Sequence, residues 1–318
     1  LGFTAFNDMG TGTYNVGIGH EAGYNITTGS SNTALGTAAL FSNTTGGTNV
    51  AVGRDALGAN TNASNNTAVG SQAAYNNTAA GTTAIGHQAG YANTTGTRLT
   101  ALGLSAALQN TTGGYNTAVG YQALKSNQTG ESNVAVGENS MYYTTGNYNT
   151  AVGRTSLLNN TTGSYNTAIG YRALDANTTG VNTAIGADAL GGNTTGTDNV
   201  AVGGTNGVTV GSALGSNTTG SYNIAAGTGA LNANTTASYN VAEGYQAVYS
   251  NTTGNALAAL GYKALYANTG SNNSAVGYSA LRQNTSGNTN TAVGDRALYS
   301  NTTASNNTAV GYQAGYSN

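Results

Sequence analysis

The chain contains no cysteine, no proline and no tryptophan, and only 6% of its 318 residues carry a charge. Without cysteine there is no disulfide framework and no thiolate metal site. The missing proline fits a backbone whose N–H groups are committed to ladders, because proline brings none. Charge falls far below the level of about a quarter of residues usual in soluble domains. The formal net charge is −2, which leaves no basic footprint for nucleic acid and no polybasic patch for a membrane surface. No apolar run approaches the roughly 20 residues of a membrane-spanning helix. The two histidines, His20 and His87, lie four repeats apart and cannot share a metal or a catalytic triad.

Repetition is what the chain has in excess. A segment of the type Asn-Thr-Ala-Val-Gly returns nineteen times, closing on glycines that run from Gly2 and Gly19 to Gly294 and Gly311. Most intervals are 17 residues; four are 16, and one, from Gly203 to Gly227, is 24. A fixed period of this kind decides the architecture before any other signal. With each closing glycine as position zero, −2 is almost always Ala (Ala34, Ala118, Ala309) and −1 is Val, Ile or Leu (Leu35, Ile85, Val119). Position +3 is mostly Ala, +4 mostly Leu, and −4 and +7 are mostly Asn, as at Ala39, Leu40, Asn32 and Asn43.

Each repeat therefore reads as two short extended pieces, Thr-Ala-Val and x-Ala-Leu, with glycine between them. A polar corner, Asn-Thr-Thr-Gly-x-Tyr-Asn, closes the turn, where Asn and Thr satisfy backbone groups locally. Asn stacked from rung to rung is expected to form amide ladders. The predicted fold is all-β: a parallel β-solenoid, a β-roll or β-helix, of about nineteen rungs of 16–17 residues. It is expected to form one continuous array over residues 1–318 that extends past both ends. An irregular insertion near 204–211 carries Asn206-Gly207, a hairpin-type turn signal, and predicts a small loop or β-protrusion. Alternation of faces along a strand sends Ala at −2 and Val at −1 in opposite directions, and likewise Ala at +3 and Leu at +4. One face lines a narrow interior and the other needs cover, most simply from two further copies in a side-by-side homotrimer.

The repeats resemble the head repeats of trimeric autotransporter adhesins of the YadA type, whose motif reads roughly Asn-Ser-Val-Ala-Ile-Gly. The matching segments here are Asn116 to Gly120, Asn149 to Gly153, Asn133 to Gly137 and Asn199 to Gly203. They are also similar to Asn-Thr-Ala-x-Gly-Tyr-x-Ala-Leu arrays of phage tail-fibre-like and surface proteins, often found ahead of an endosialidase-type chaperone domain. The resemblance covers essentially the whole chain. It implies a trimerised β-roll or β-helix at a cell or virion surface.

Chemistry is sparse. Most charges fall at +1, +2 or +5 (Arg54, Asp55, Lys125, Arg172, Asp175), the pattern of a solvated edge. No carboxylate pair recurs with acid–base spacing, no glycine loop leads into Gly-Lys-Ser/Thr, and the Asp of calcium-binding rolls is missing from the turns. The expectation is a protein that is not an enzyme and takes no cofactor, metal or nucleic acid. Glu243 stands at −1, where other rungs carry an aliphatic residue or Ala226. This predicts a partly wet face at that rung. Asn-Thr-Thr is a glycosylation acceptor and makes Asn43, Asn93, Asn110, Asn160, Asn177, Asn193, Asn217, Asn234, Asn251 and Asn301 candidate glycan sites along one corner.

The function expected from these features is an extracellular, cell-surface or virion-surface fibre or shaft. It would self-associate, as a homotrimer or head-to-tail filament, and space or present an element that binds a surface glycan or receptor. The alternative is a binding module on a solenoid face. Thr at −3 (Thr33, Thr67, Thr117, Thr150) would order ice, or Tyr at +1 and −5 (Tyr121, Tyr171, Tyr115, Tyr222) would form a carbohydrate strip.

Overall fold

The structure, a computed structural model, describes residues 4–205 and 210–317. It has two compact units: Leu1–Thr155 with Asn160–Thr162, and Ser156–Asn159 with Gly163–Asn318. Every regular element among the described residues is a strand of three or four residues, and none is a helix. In the first unit the strands run from Val16–Ile18 to Thr150–Val152, one per repeat. Each pairs in parallel with the next at matching repeat positions: Thr67 faces Thr83, Ala68 faces Ala84 and Val69 faces Ile85. In the second unit the strands run from Thr167–Ile169 to Thr308–Val310 with the same register, as at Thr291 with Thr308 and Ala292 with Ala309. Each unit is a parallel β-solenoid.

The strand occupies positions −3 to −1, and its pleat sorts the side chains as a period of two requires. Ala at −2 points inward and is buried in nearly every rung, while −3 and −1 point outward. Alanine fits there because the coil is too narrow for a longer side chain opposite Leu at +4.

The second extended piece does not form. Positions +2 and +4 adopt positive φ, 53° at Ala38 and 54° at Leu40, and the pattern recurs at Gln122 and Leu124. This folds x-Ala-Leu into a turn, and Ala39 and Leu40 are both fully buried rather than facing opposite ways. The left-handed conformation costs an L-residue roughly 1–2 kcal/mol. The turn persists because its backbone joins the ladder: Leu40 N–H donates to Ala56 O at 2.9 Å and Ala38 N–H to His20 O at 2.9 Å. Hydrogen bonding between rungs thus extends well beyond the strands. The closing glycines sit near φ +130°, where a Cβ on Gly120 would lie 2.7 Å from Gly137 O.

Two asparagine columns complete the interior. At −4, Asn49 Nδ2 donates to Asn32 Oδ1 at 3.1 Å and to Ala63 O at 2.9 Å. At +7, Asn110 Nδ2 reaches Asn93 Oδ1 at 2.8 Å and Gly113 O at 2.9 Å. Among the described residues, the buried amide nitrogens that find no acceptor are Asn66 Nδ2 and Asn240 Nδ2. Each stands one rung before a −4 position that is not Asn, at Thr82 and Leu257.

The 24-residue interval leaves the columns intact. Asn217 Nδ2 bonds Asn193 Oδ1 at 2.7 Å and Asn223 Nδ2 bonds Asn199 Oδ1 at 3.1 Å across it. Ala213 and Leu214 take the buried +3 and +4 places. Ser212 Oγ anchors the returning chain on Asp188 O at 2.7 Å. The insertion therefore enters the repeat at +2, between Thr205 and Ser212. The expected hairpin at Asn206-Gly207 lies outside the described residues.

Candidate functional site

The outward face of the sheet is the most distinctive surface. Its −1 row is aliphatic in almost every rung and open to solvent, with Ile18 49% exposed, Ile85 42% and Leu260 48%. The −3 row beside it mixes Thr with exposed aliphatic residues, among them Val16, Val50, Ile224 and Val241. Strand spacing of about 4.8 Å makes both rows regular ladders. Glu243 interrupts the −1 row and is exposed. The sequence left undecided which apolar face lacks cover, and the structure assigns it to −3 and −1.

Aromatic side chains form further rows. At −5, Tyr222 stacks on Tyr239 with centroids 5.2 Å apart and planes 4° from parallel. At +1, Tyr245, Tyr262 and Tyr278 stack in sequence at 5.5 and 5.0 Å. A third row at +5 escaped the sequence reading: Tyr24 on Phe41, Tyr75 on Tyr91, Tyr249 on Tyr266 and Tyr299 on Tyr316. Its signal was the same 16–17-residue spacing, masked because Lys125 and Asp175 share that position. Cations bridge rows, with Lys263 Nζ 5.3 Å from the Tyr262 centroid and 5.4 Å from that of Tyr266.

The stacking changes what a carbohydrate strip could present where the rings pair. A sugar packs on an open ring face, and here the inner faces of each stack are covered by the neighbouring ring. Within a stack only edges and terminal rings are presented.

The candidate glycan sites stand inside the wall. All ten asparagines sit at +7 with fully buried side chains. The corner carbonyl takes one amide hydrogen, as at Asn43 to Gly46 O, Asn177 to Gly180 O and Asn251 to Gly254 O. The preceding rung takes the other, as at Asn93, Asn193, Asn217, Asn234, Asn251 and Asn301. Asn160 bonds Thr144 Oγ1 at 3.0 Å. A glycan on Nδ2 would remove one of these bonds and has no space inside the wall.

His20 and His87 are exposed. His20 Nδ1 lies 3.7 Å from Glu21 Oε2. Other ion pairs are short-range and solvated: Arg54 with Asp55 at 3.5 Å and Arg154 with Glu138 at 3.4 Å. Such pairs contribute little to stability. Arg172 reaches Asp175 at 3.2 Å and Asp188 at 3.6 Å. Its pKa is raised above the ordinary value, first by the hydrogen bond to Asp175 and further by both carboxylates. An open hollow beside this cluster is lined by Asp188, Gly191, Gly215 and Asn232, where glycines stand at +5 in place of rings. No group of three or more His, Cys, Asp or Glu among the described residues is placed to hold a metal. No described helix is long and apolar enough to cross a membrane.

No family model, curated protein or solved structure matches this chain.

Proposed function

We propose that the chain is a structural segment of an extracellular fibre, a shaft that spaces or presents a binding element. Its copies pack through the outward sheet face, most simply three together. The observation that carries this reading is the −1 row: aliphatic side chains stay partly exposed to solvent in rung after rung. Soluble monomers rarely leave contiguous apolar patches larger than a few hundred Å². A second copy offers the same rows at the same spacing, so self-association can cover successive rungs of a unit together. The role is architectural rather than catalytic.

Native mass measurement with cryo-EM of the cross-section tests the reading. Three chains joined by their sheet faces are expected. Replacing Ile85 and Val119 together by Glu should release single chains with unchanged β circular dichroism. A wild-type protein that stays a single folded chain at high concentration overturns the proposal.

One observation favours a second use of the same face. Thr67, Thr83, Thr100 and Thr117 occupy four consecutive −3 positions, each beside an aliphatic −1 residue. Such a lattice of hydroxyl and methyl groups would order water, and thermal hysteresis in the native protein is its test.

A further inference from the structure

The stacked tyrosines are separated by one rung each and are open to solvent. Tyr222 and Tyr239 are 50% and 64% exposed, and Tyr245, Tyr262 and Tyr278 all stand in the exposed class. Their planes lie within 10° of parallel and their centroids 5.0–5.5 Å apart. Each ring is anchored through Cβ to a wall whose rungs are locked by backbone ladders. A small tilt about that anchor brings a Cε of one ring towards a Cε of the next.

We propose that these ladders are sites of oxidative cross-linking, in which a haem-peroxidase-type one-electron oxidant with hydrogen peroxide joins tyrosines on successive rungs. Each phenol loses one electron and its hydroxyl proton. The two phenoxyl radicals form a Cε–Cε bond, and the displaced ring hydrogens return to the oxygens as the rings rearomatise. The balance is two tyrosines and one hydrogen peroxide giving one dityrosine and two waters. Fixed proximity makes the coupling effectively unimolecular, whereas an isolated tyrosyl radical must wait for an encounter. The product staples neighbouring rungs in a chain that has no cysteine to do so. The inference does not depend on the fibre reading, since each bond lies within one chain.

The test uses the full chain at low concentration, treated with a haem peroxidase and hydrogen peroxide. Linked peptides are mapped by mass spectrometry on a mixture of light and isotope-labelled protein, which separates links within a chain from links between chains. Within-chain links should join Tyr222 to Tyr239, Tyr245 to Tyr262, Tyr262 to Tyr278 and Tyr249 to Tyr266. They should exceed links at Tyr121 and Tyr312 by about tenfold or more. Those two are exposed and have no ring partner among the described residues. Tyr262→Phe keeps the stacked ring and removes the phenol. It should abolish both links of Tyr262 and leave the Tyr249–Tyr266 link unchanged. Links distributed by exposure alone overturn the proposal, as does an identical link pattern from the urea-unfolded chain.

Discussion

Asn110 donates one amide hydrogen to Asn93 Oδ1 at 2.8 Å and the other to Gly113 O at 2.9 Å, and both side chains are fully buried. The amide that marks a repeat in the sequence is therefore a structural rivet inside the wall. Its oxygen accepts in turn from Asn127 Nδ2 at 2.9 Å.

Substituting Asn110 should consequently cost more than an ordinary surface change. Asn110→Ala leaves Asn93 Oδ1 and Gly113 O without a donor, and buried unsatisfied groups cost about 1–3 kcal/mol each. Asn110→Asp adds a buried carboxylate facing two acceptors. Burial and those acceptors raise that carboxyl's pKa in the folded state above its unfolded value. The penalty is therefore small below the unfolded carboxyl range and grows as pH rises through it, up to the folded pKa. Denaturant unfolding of both variants at acid and neutral pH checks the size and the sign. An Asp variant more stable at neutral than at acid pH contradicts the ladder account.

Glycine substitutions should split by position. Gly120→Ala places a Cβ 2.7 Å from Gly137 O at φ +130°. It is expected to lower stability by about 3 kcal/mol or more, since strain and clash add. Ala38→Gly instead relieves a left-handed residue at φ 53°. It should be neutral or stabilising by up to about 1 kcal/mol. Thermal melts of the two variants side by side provide the comparison.

Expression in a host that glycosylates asparagine should yield folded chain with bare Asn93, Asn110, Asn217 and Asn234. Any glycosylated fraction should be retained or protease-sensitive, because the sugar prevents the corner from closing. Intact mass and peptide mapping of the folded fraction settle the point: glycan at full occupancy there would mean the corner is open.

Glu243→Val should strengthen self-association, because it completes the aliphatic −1 row between Ala226 and Leu260. Burying the added apolar surface contributes about 1–2 kcal/mol per chain. Analytical ultracentrifugation measures the shift. Weakened or unchanged assembly would place the contact on another face.

Much of this was legible in the sequence. The fixed recurrence of the closing glycine, with Ala at −2 and Asn at −4 and +7, specifies a parallel solenoid and its asparagine ladders, because stacked rungs must place like residues over like. The 24-residue interval was legible as an insertion for the same reason, since Asn193 and Asn217 keep their column on either side of it.

Tertiary structure alone decided the rest. Ala-Leu at +3 and +4 carries the apolar pattern of a strand. Only the inter-rung bonds, such as Leu40 N–H to Ala56 O, make the left-handed turn affordable and send both side chains inward. The Asn-Thr-Thr motif reads the same whether its amide faces water or wall, and the packed corner turns it inward. Tyrosines 17 residues apart have no local relationship. They become stacked rings because the solenoid brings successive repeats within about 5 Å, the one dimension that a sequence period does not contain.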